Sequence, residues 1–111
     1  MADTSELAAV VLLTTMPNEQ SAETLATRLV DERMIACANL VPGVRSIYRW
    51  NGEIRDEGEV LVIMKSSAER VELVQSRVHD LHPYDVPEIL VLPVASGHRP
   101  YLDWITAQVT G

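Results

Sequence analysis

The chain has 111 residues, 47% of them hydrophobic and 23% charged; this is the make-up of one ordinary domain, and it excludes both a disordered chain and a cofactor domain joined to a substrate domain. Nine basic residues stand against sixteen acidic ones, a formal net charge of −7, so nucleic acid and anionic membrane are excluded as partners and a cation is favoured. The single cysteine excludes an internal disulfide and an all-cysteine zinc shell within one chain.

The longest apolar run, Leu7–Leu13, has seven residues, far short of the ~18–20 that span a bilayer. Asp3 and Glu6 precede the first basic residue, Arg28, so the positive start of a secretory leader is missing. The expectation is a soluble cytoplasmic protein, with a flexible N-terminus over 1–7 and a single domain over 8–111.

Ala8–Thr15 reads as a continuous apolar strand, expected where both faces are covered. Met16-Pro17-Asn18 breaks it, and Ala22, Leu25, Ala26, Leu29 and Val30 then recur at helical spacing, which predicts a helix from about Glu19 to Arg33. Ala36–Val41 is a second strand, interrupted at Pro42-Gly43 and resumed as Val44–Trp50. Asn51-Gly52 is a strong hairpin signal, because both central residues of a type I′ turn need positive φ. The return strand is Glu53–Lys65, with a bulge expected at Gly58. Ser66 and Glu69 read as a capping box for a second helix with its stripe at Val71, Val74, Val78 and Leu81. Val86–Val94 is the last strand, and Pro100 opens a third helix bearing Tyr101, Leu102, Ile105 and Val109.

This order is the α+β, ferredoxin-like βαββαβ sandwich with a C-terminal helix, and its sheet runs 4-1-3-2. The richest apolar segments, Val10–Leu13 and Val60–Met64, fall in the two central strands. Pro42, Pro87 and Pro93 fall in the edge strands, where a missing N–H is tolerated. A second strand from Ala36 to Trp50 would be about 50 Å long at ~3.3 Å per residue, against an expected radius of gyration of ~13 Å. The β2–β3 hairpin must therefore extend beyond its own domain. It carries Ile47, Tyr48, Trp50 and Ile54, and an exposed apolar edge of this kind calls for self-association.

The candidate ligands for a metal are Cys37, His79, His82, His98 and the carboxylates. His82, Asp85 and Glu88 gather at the turn into the last strand, and imidazole with carboxylate suits zinc or copper. Cys37, between two alanines in a strand, reads as a small buried hydrophobe. Lys65, the only lysine, closes a central strand and reads as a solvated strand end rather than an anion contact, and Trp50, Tyr84, Tyr101 and Trp104 read as lining a pocket or, more often, anchoring an interface. Glu53, Asp56, Glu57 and Glu59 form an acidic stretch that reads as a solvated face. The third strand carries no aromatic residue over Glu59–Met64, against an RNA-binding surface. No nucleophile with a base is readable.

The chain resembles the CutA divalent-cation tolerance proteins in Ala36-Cys37-Ala38-Asn39-Leu40-Val41-Pro42-Gly43, in Ser46-Ile47-Tyr48-Arg49-Trp50-Asn51-Gly52-Glu53-Ile54, in His82-Pro83-Tyr84-Asp85-Val86-Pro87-Glu88-Ile89, and in Leu92-Pro93-Val94 with Tyr101-Leu102-Asp103-Trp104. The likeness covers about residues 9–108. It implies a non-enzymatic homotrimer in which long hairpins pair across subunits. It also implies a link to tolerance of copper and other divalent cations, with His82 and Glu88 as the proposed ligands. A strand-one cysteine that serves as a third ligand in some members is Thr14 here, so weak rather than tight copper or zinc binding is expected, with no cofactor required. Lys65, Tyr84, Tyr101 and Trp104 are expected in or near an inter-subunit cleft. The alternative expectation is a trimeric small-molecule or signalling module with ligand sites in those clefts.

Overall fold

A computed structural model of the protein describes residues 8–110; the segment 1–7, expected to be flexible, lies outside them. The elements run β1 (Ala9–Met16), α1 (Glu19–Asp31), β2 (Cys37–Trp50), β3 (Glu53–Ser67), α2 (Val71–Leu81), β4 (Leu90–Pro93) and α3 (Arg99–Val109). The sheet order is β2-β3-β1-β4, with every neighbouring pair antiparallel. This is the ferredoxin-like plan that the order of elements predicts.

Alternation along the strands assigns the two faces. Val10, Leu12, Thr14 and Met16 of β1 and Val60, Val62, Met64 and Ser66 of β3 are buried towards α1 and α2, which supply Leu25, Leu29, Val74 and Val78. The opposite face has a helix at one end only. There, Ile105 and Val109 of α3 cover Ala9 and Ala36. Val11, Leu13, Leu61 and Ile63 are left half-buried, beside Leu90 and Leu92, which are exposed.

Helix α1 begins at Asn18, whose side-chain oxygen accepts from the Ser21 N–H at 2.7 Å. It ends at Asp31 rather than at Arg33. Arg33 takes φ 58°, its N–H donates to the Val30 carbonyl, and the Met34 N–H reaches back to Leu29. This is the Schellman closure, here with arginine at the usual glycine position. The Arg33 guanidinium then donates to the Gln108 carbonyl at 3.0 Å, which ties α1 to the end of α3. Glu32 accepts from Arg77 of α2 at 2.7 and 2.8 Å and from Arg28 at 3.2 Å. Chiefly through Arg77, these contacts hold its carboxyl down at about 2.

Three local expectations are corrected. The bulge is not at Gly58, which pairs in register with Arg45; it lies across from Val60, where Pro42 and Gly43 interrupt β2 between Val41 and Val44. Pro42 has no N–H to give to the ladder, and Gly43 supplies φ 77°. The capping box does not form, because β3 runs on to Ser67 and Ser66 donates its hydroxyl to the Met34 carbonyl at 2.7 Å. A short 3-10 turn, Ala68–Arg70, leads into α2 instead. Strand β4 is four residues, not nine. Its ladder with β1 ends at Leu13↔Leu90, and the segment before it, which contains Pro87, follows the rim of the sheet.

Beyond the bulge the hairpin stays paired to its tip, Trp50↔Glu53, and Asn51 and Gly52 take φ 50° and 77°. The described residues extend 46 × 31 × 23 Å with a radius of gyration of 14.9 Å, above the ~13 Å of a compact domain this size. The hairpin therefore does project.

Thr14 is fully buried in the main core, and its hydroxyl has no hydrogen-bond partner among the described residues. An orphaned hydroxyl in a core costs about 1–3 kcal/mol. Thr14→Val is expected to raise stability in chemical denaturation by about 1 kcal/mol, and a loss would show that the hydroxyl is paired.

Candidate functional site

His82 ends α2 and is 8% exposed. Its Nε2 lies 2.9 Å from the Thr15 carbonyl oxygen, and its Nδ1 accepts the Tyr84 N–H at 3.2 Å. A carbonyl oxygen only accepts, so Nε2 carries the proton and the ring is neutral. Both nitrogens are thereby used within the chain. Burial pushes the His82 pKa below 6.5, while the Thr15 hydrogen bond and the charge of Glu59 act in the other direction.

The Tyr84 ring lies 4.8 Å from that of His82. Its hydroxyl donates to Glu59 Oε2 at 2.7 Å, and burial together with that carboxylate raises the phenol's pKa. One strand over, Tyr48 donates to Glu57, which raises its pKa as well. Between the hairpin arm and the 82–88 loop lies a groove of about 800 Å³, lined by Thr15, Tyr48, Trp50, Arg55, Tyr84 and Glu88 among others. Glu88 is exposed on its rim.

Lys65, Tyr101 and Trp104 form a second cluster at the α3 end. Lys65 pairs across the ladder with Cys37 and donates to Asn39. The Cys37 Sγ lies 3.5 Å from the Tyr101 hydroxyl, a contact that is the chief cause of that phenol's raised pKa. Tyr101 stacks on Trp104 at 5.7 Å. Along β3 this cluster is six residues from Glu59, about 20 Å at ~3.3 Å per residue. One chain therefore separates Tyr84 from Lys65, Tyr101 and Trp104. On the hairpin, Ile47 pairs with Asp56 and Ile54 with Arg49 on one face; Tyr48 and Trp50 lie on the other.

Sequence reasoning read Glu59 as solvent-facing. The signal that could have placed it is the β3 alternation: Glu59 shares a face with Leu61 and Ile63, the face over which the 82–88 loop folds. The Thr15 carbonyl had no signal, since any residue supplies that group. Among the described residues, no three His, Cys, Asp or Glu side chains converge as a metal shell.

The model of the CutA1 divalent ion tolerance protein family matches residues 10–108. This chain belongs to that family. The divalent-cation tolerance protein CutA of Thermus thermophilus is 50% identical over 95 residues, covering 86% of this chain and 92% of its relative. Its Pectobacterium atrosepticum counterpart is 39% identical over 98% of this chain and 99% of its own length. Among solved CutA structures, that from Xylella fastidiosa superposes with a TM-score of 0.90 at 35% identity, covering 92% of this chain and 98% of that one. One from Archaeoglobus fulgidus, described as a periplasmic divalent cation tolerance protein, gives 0.88 at 32%, covering 91% and 98%. No helix among the described residues is long and apolar enough to cross a membrane.

The CutA fold of this chain should lose stability in acid in two stages. The folded pKa of His82 lies below its unfolded 6.5, so the unfolded chain takes up more protons and stability falls as pH drops below 6.5. Glu32, lowered from 4.5 to about 2, adds stability that is present above 4.5 and lost as pH falls towards 2. Thermal midpoints from pH 8 to 3 check this: His82→Gln should remove the first decline, and Glu32→Gln the second.

Proposed function

We propose that this CutA protein acts in divalent-cation tolerance as a non-enzymatic homotrimer that holds copper or zinc weakly at its surface. The observation that carries the trimer is the uncovered apolar surface. Leu90 and Leu92 flank the half-buried Val11, Leu13, Leu61 and Ile63, and on the protruding hairpin Trp50 is 50% exposed and Ile54 70%. Uncovered apolar surface of this kind is normally an interface, and the paired but unsupported hairpin, with Trp50 and Ile54 on its two faces, gives the chain an arm long enough to reach a second copy.

A trimer also brings clefts. Tyr84 and Glu88 at one end of a chain, and Lys65, Tyr101 and Trp104 at the other, can meet across a subunit boundary although one chain keeps them apart. The net charge of −7 favours cations there. Glu88, with Asp85 beside the same groove, offers hard oxygen donors, and the place of the strand-one thiol is taken by Thr14, so contact is weak and screened by salt. The compartment proposed is the cytoplasm, to be checked by cell fractionation.

Light scattering should give three times the 12.3 kDa chain mass. Trp50→Asp should lower the thermal midpoint and dissociate the assembly. A folded 12.3 kDa particle from the unmutated chain, or an intact trimer after the substitution, would refute this interface. Calorimetry with Cu²⁺ and Zn²⁺ should show weak heats that shrink as salt rises and fall further in Glu88→Gln; salt-independent tight binding would contradict the surface reading.

A further inference from the structure

We infer that His82 is a positioning residue that fastens the 82–88 loop to β1 through its Nε2–H tautomer, and that it is not a ligand of the divalent cation. The two contacts are the Nε2–H bond to the Thr15 carbonyl at 2.9 Å and the acceptance of the Tyr84 N–H by Nδ1 at 3.2 Å. They spend the only two positions from which an imidazole can bind a metal. A cation at Nε2 would need that nitrogen deprotonated, and the Thr15 carbonyl would face an empty acceptor pair. A cation at Nδ1 would strand the Tyr84 N–H. Each loss leaves a backbone group unpaired beside a side chain only 8% exposed, a costly position for a polar group.

The donor set agrees. Glu88 is exposed on the groove rim, and among the described residues no third ligand joins the two. Held as it is, the ring does a different task. It fixes the Tyr84 backbone, lies 4.8 Å from the Tyr84 ring, and so sets the Tyr84 hydroxyl 2.7 Å from Glu59. The loop that walls the groove is thereby joined to both central strands, to β1 through Thr15 and to β3 through Glu59. The inference goes beyond the proposed function and does not depend on whether a cation binds.

The unmutated, metal-free protein provides the first test. Long-range ¹H–¹⁵N spectra at pH 7.5 should show His82 as the Nε2–H tautomer, and the Tyr84 amide should exchange slowly. An Nδ1–H tautomer overturns the inference. Asparagine places an acceptor where Nδ1 stands and glutamine a donor where Nε2–H stands. His82→Asn should therefore keep the Tyr84 amide protected, while His82→Gln speeds its exchange about fivefold, the worth of one hydrogen bond; equal exchange in the two variants overturns the positioning role. The last arm is addition of Zn²⁺ or Cu²⁺ to His82→Gln. Unchanged affinity is expected. A loss of about tenfold is within reach of an outer partner of the metal, so the ring itself decides: a shift of either His82 ring nitrogen signal when Zn²⁺ is added to the unmutated protein would make His82 a ligand and overturn the second half of the claim. That result is distinct from failure of the cation reading itself, in which neither protein takes up metal and the spectra still decide the tautomer.

Discussion

A strand of fifteen residues cannot be covered along its whole length by a body whose shorter dimensions are 31 and 23 Å. Strand β3 meets this limit directly. Its C-terminal half, from Val60 to Ser66, places alternate side chains in the main core, where they are buried. Its N-terminal half, from Glu53 to Gly58, is exposed throughout and has only β2 beside it. The ladder continues without a break in β3 because the extra residue is taken up in β2, at Pro42-Gly43. The bulge is what lets one strand serve both a packed core and a free arm, since it adds twist and length on the edge strand without disturbing the central one.

The same two-faced sheet explains where the polar chemistry collects. The α1 and α2 side is filled with Leu, Val and Met and admits little else: among the described residues, the hydroxyl caught there without a partner is that of Thr14. The other side is closed only at the α3 end. At the far end the 82–88 loop crosses the rim, and the carboxylates of β3 find phenols to accept from, Glu59 from Tyr84 and Glu57 from Tyr48. Neutral phenol donors next to carboxylates hold the carboxylates in place without cancelling their charge, so the groove keeps the acidity that the composition already announces.

His82 shows how a residue type with several chemistries is committed by its neighbours. An imidazole near a helix C-terminus and close to carboxylates suits a metal, a proton or an internal hydrogen bond equally well. Burial favours the neutral ring, the Thr15 carbonyl holds its one proton on Nε2, and the turn that follows α2 brings the Tyr84 N–H onto the remaining lone pair. Both interactions are with backbone groups.

Much of the fold was legible without coordinates. The continuous apolar run of Val60–Met64, the 3.6-residue period of Ala22–Leu29 and of Val74–Val78, and the demand of Asn51-Gly52 for positive φ are local facts, and local pattern determines element type. The length of the hairpin was legible for the same reason, because residue count sets extension. Element ends were not: α1 stops early because Arg33 accepts a left-handed backbone, and Ser66 stays in β3 because Met34 takes its hydroxyl. The family motif fixed which residues gather at the 82–88 turn. Only the tertiary structure decided what they do there, since the lone pairs of His82 are claimed by Thr15, sixty-seven positions away, and by the Tyr84 amide. The separation of Tyr84 from Lys65, Tyr101 and Trp104 was likewise decided by the sheet, which sets the ends of β3 at opposite sides of the body. Sequence spacing carries information about neighbours along the chain; hydrogen-bond saturation and distance across a sheet are properties of contacts between residues far apart in it.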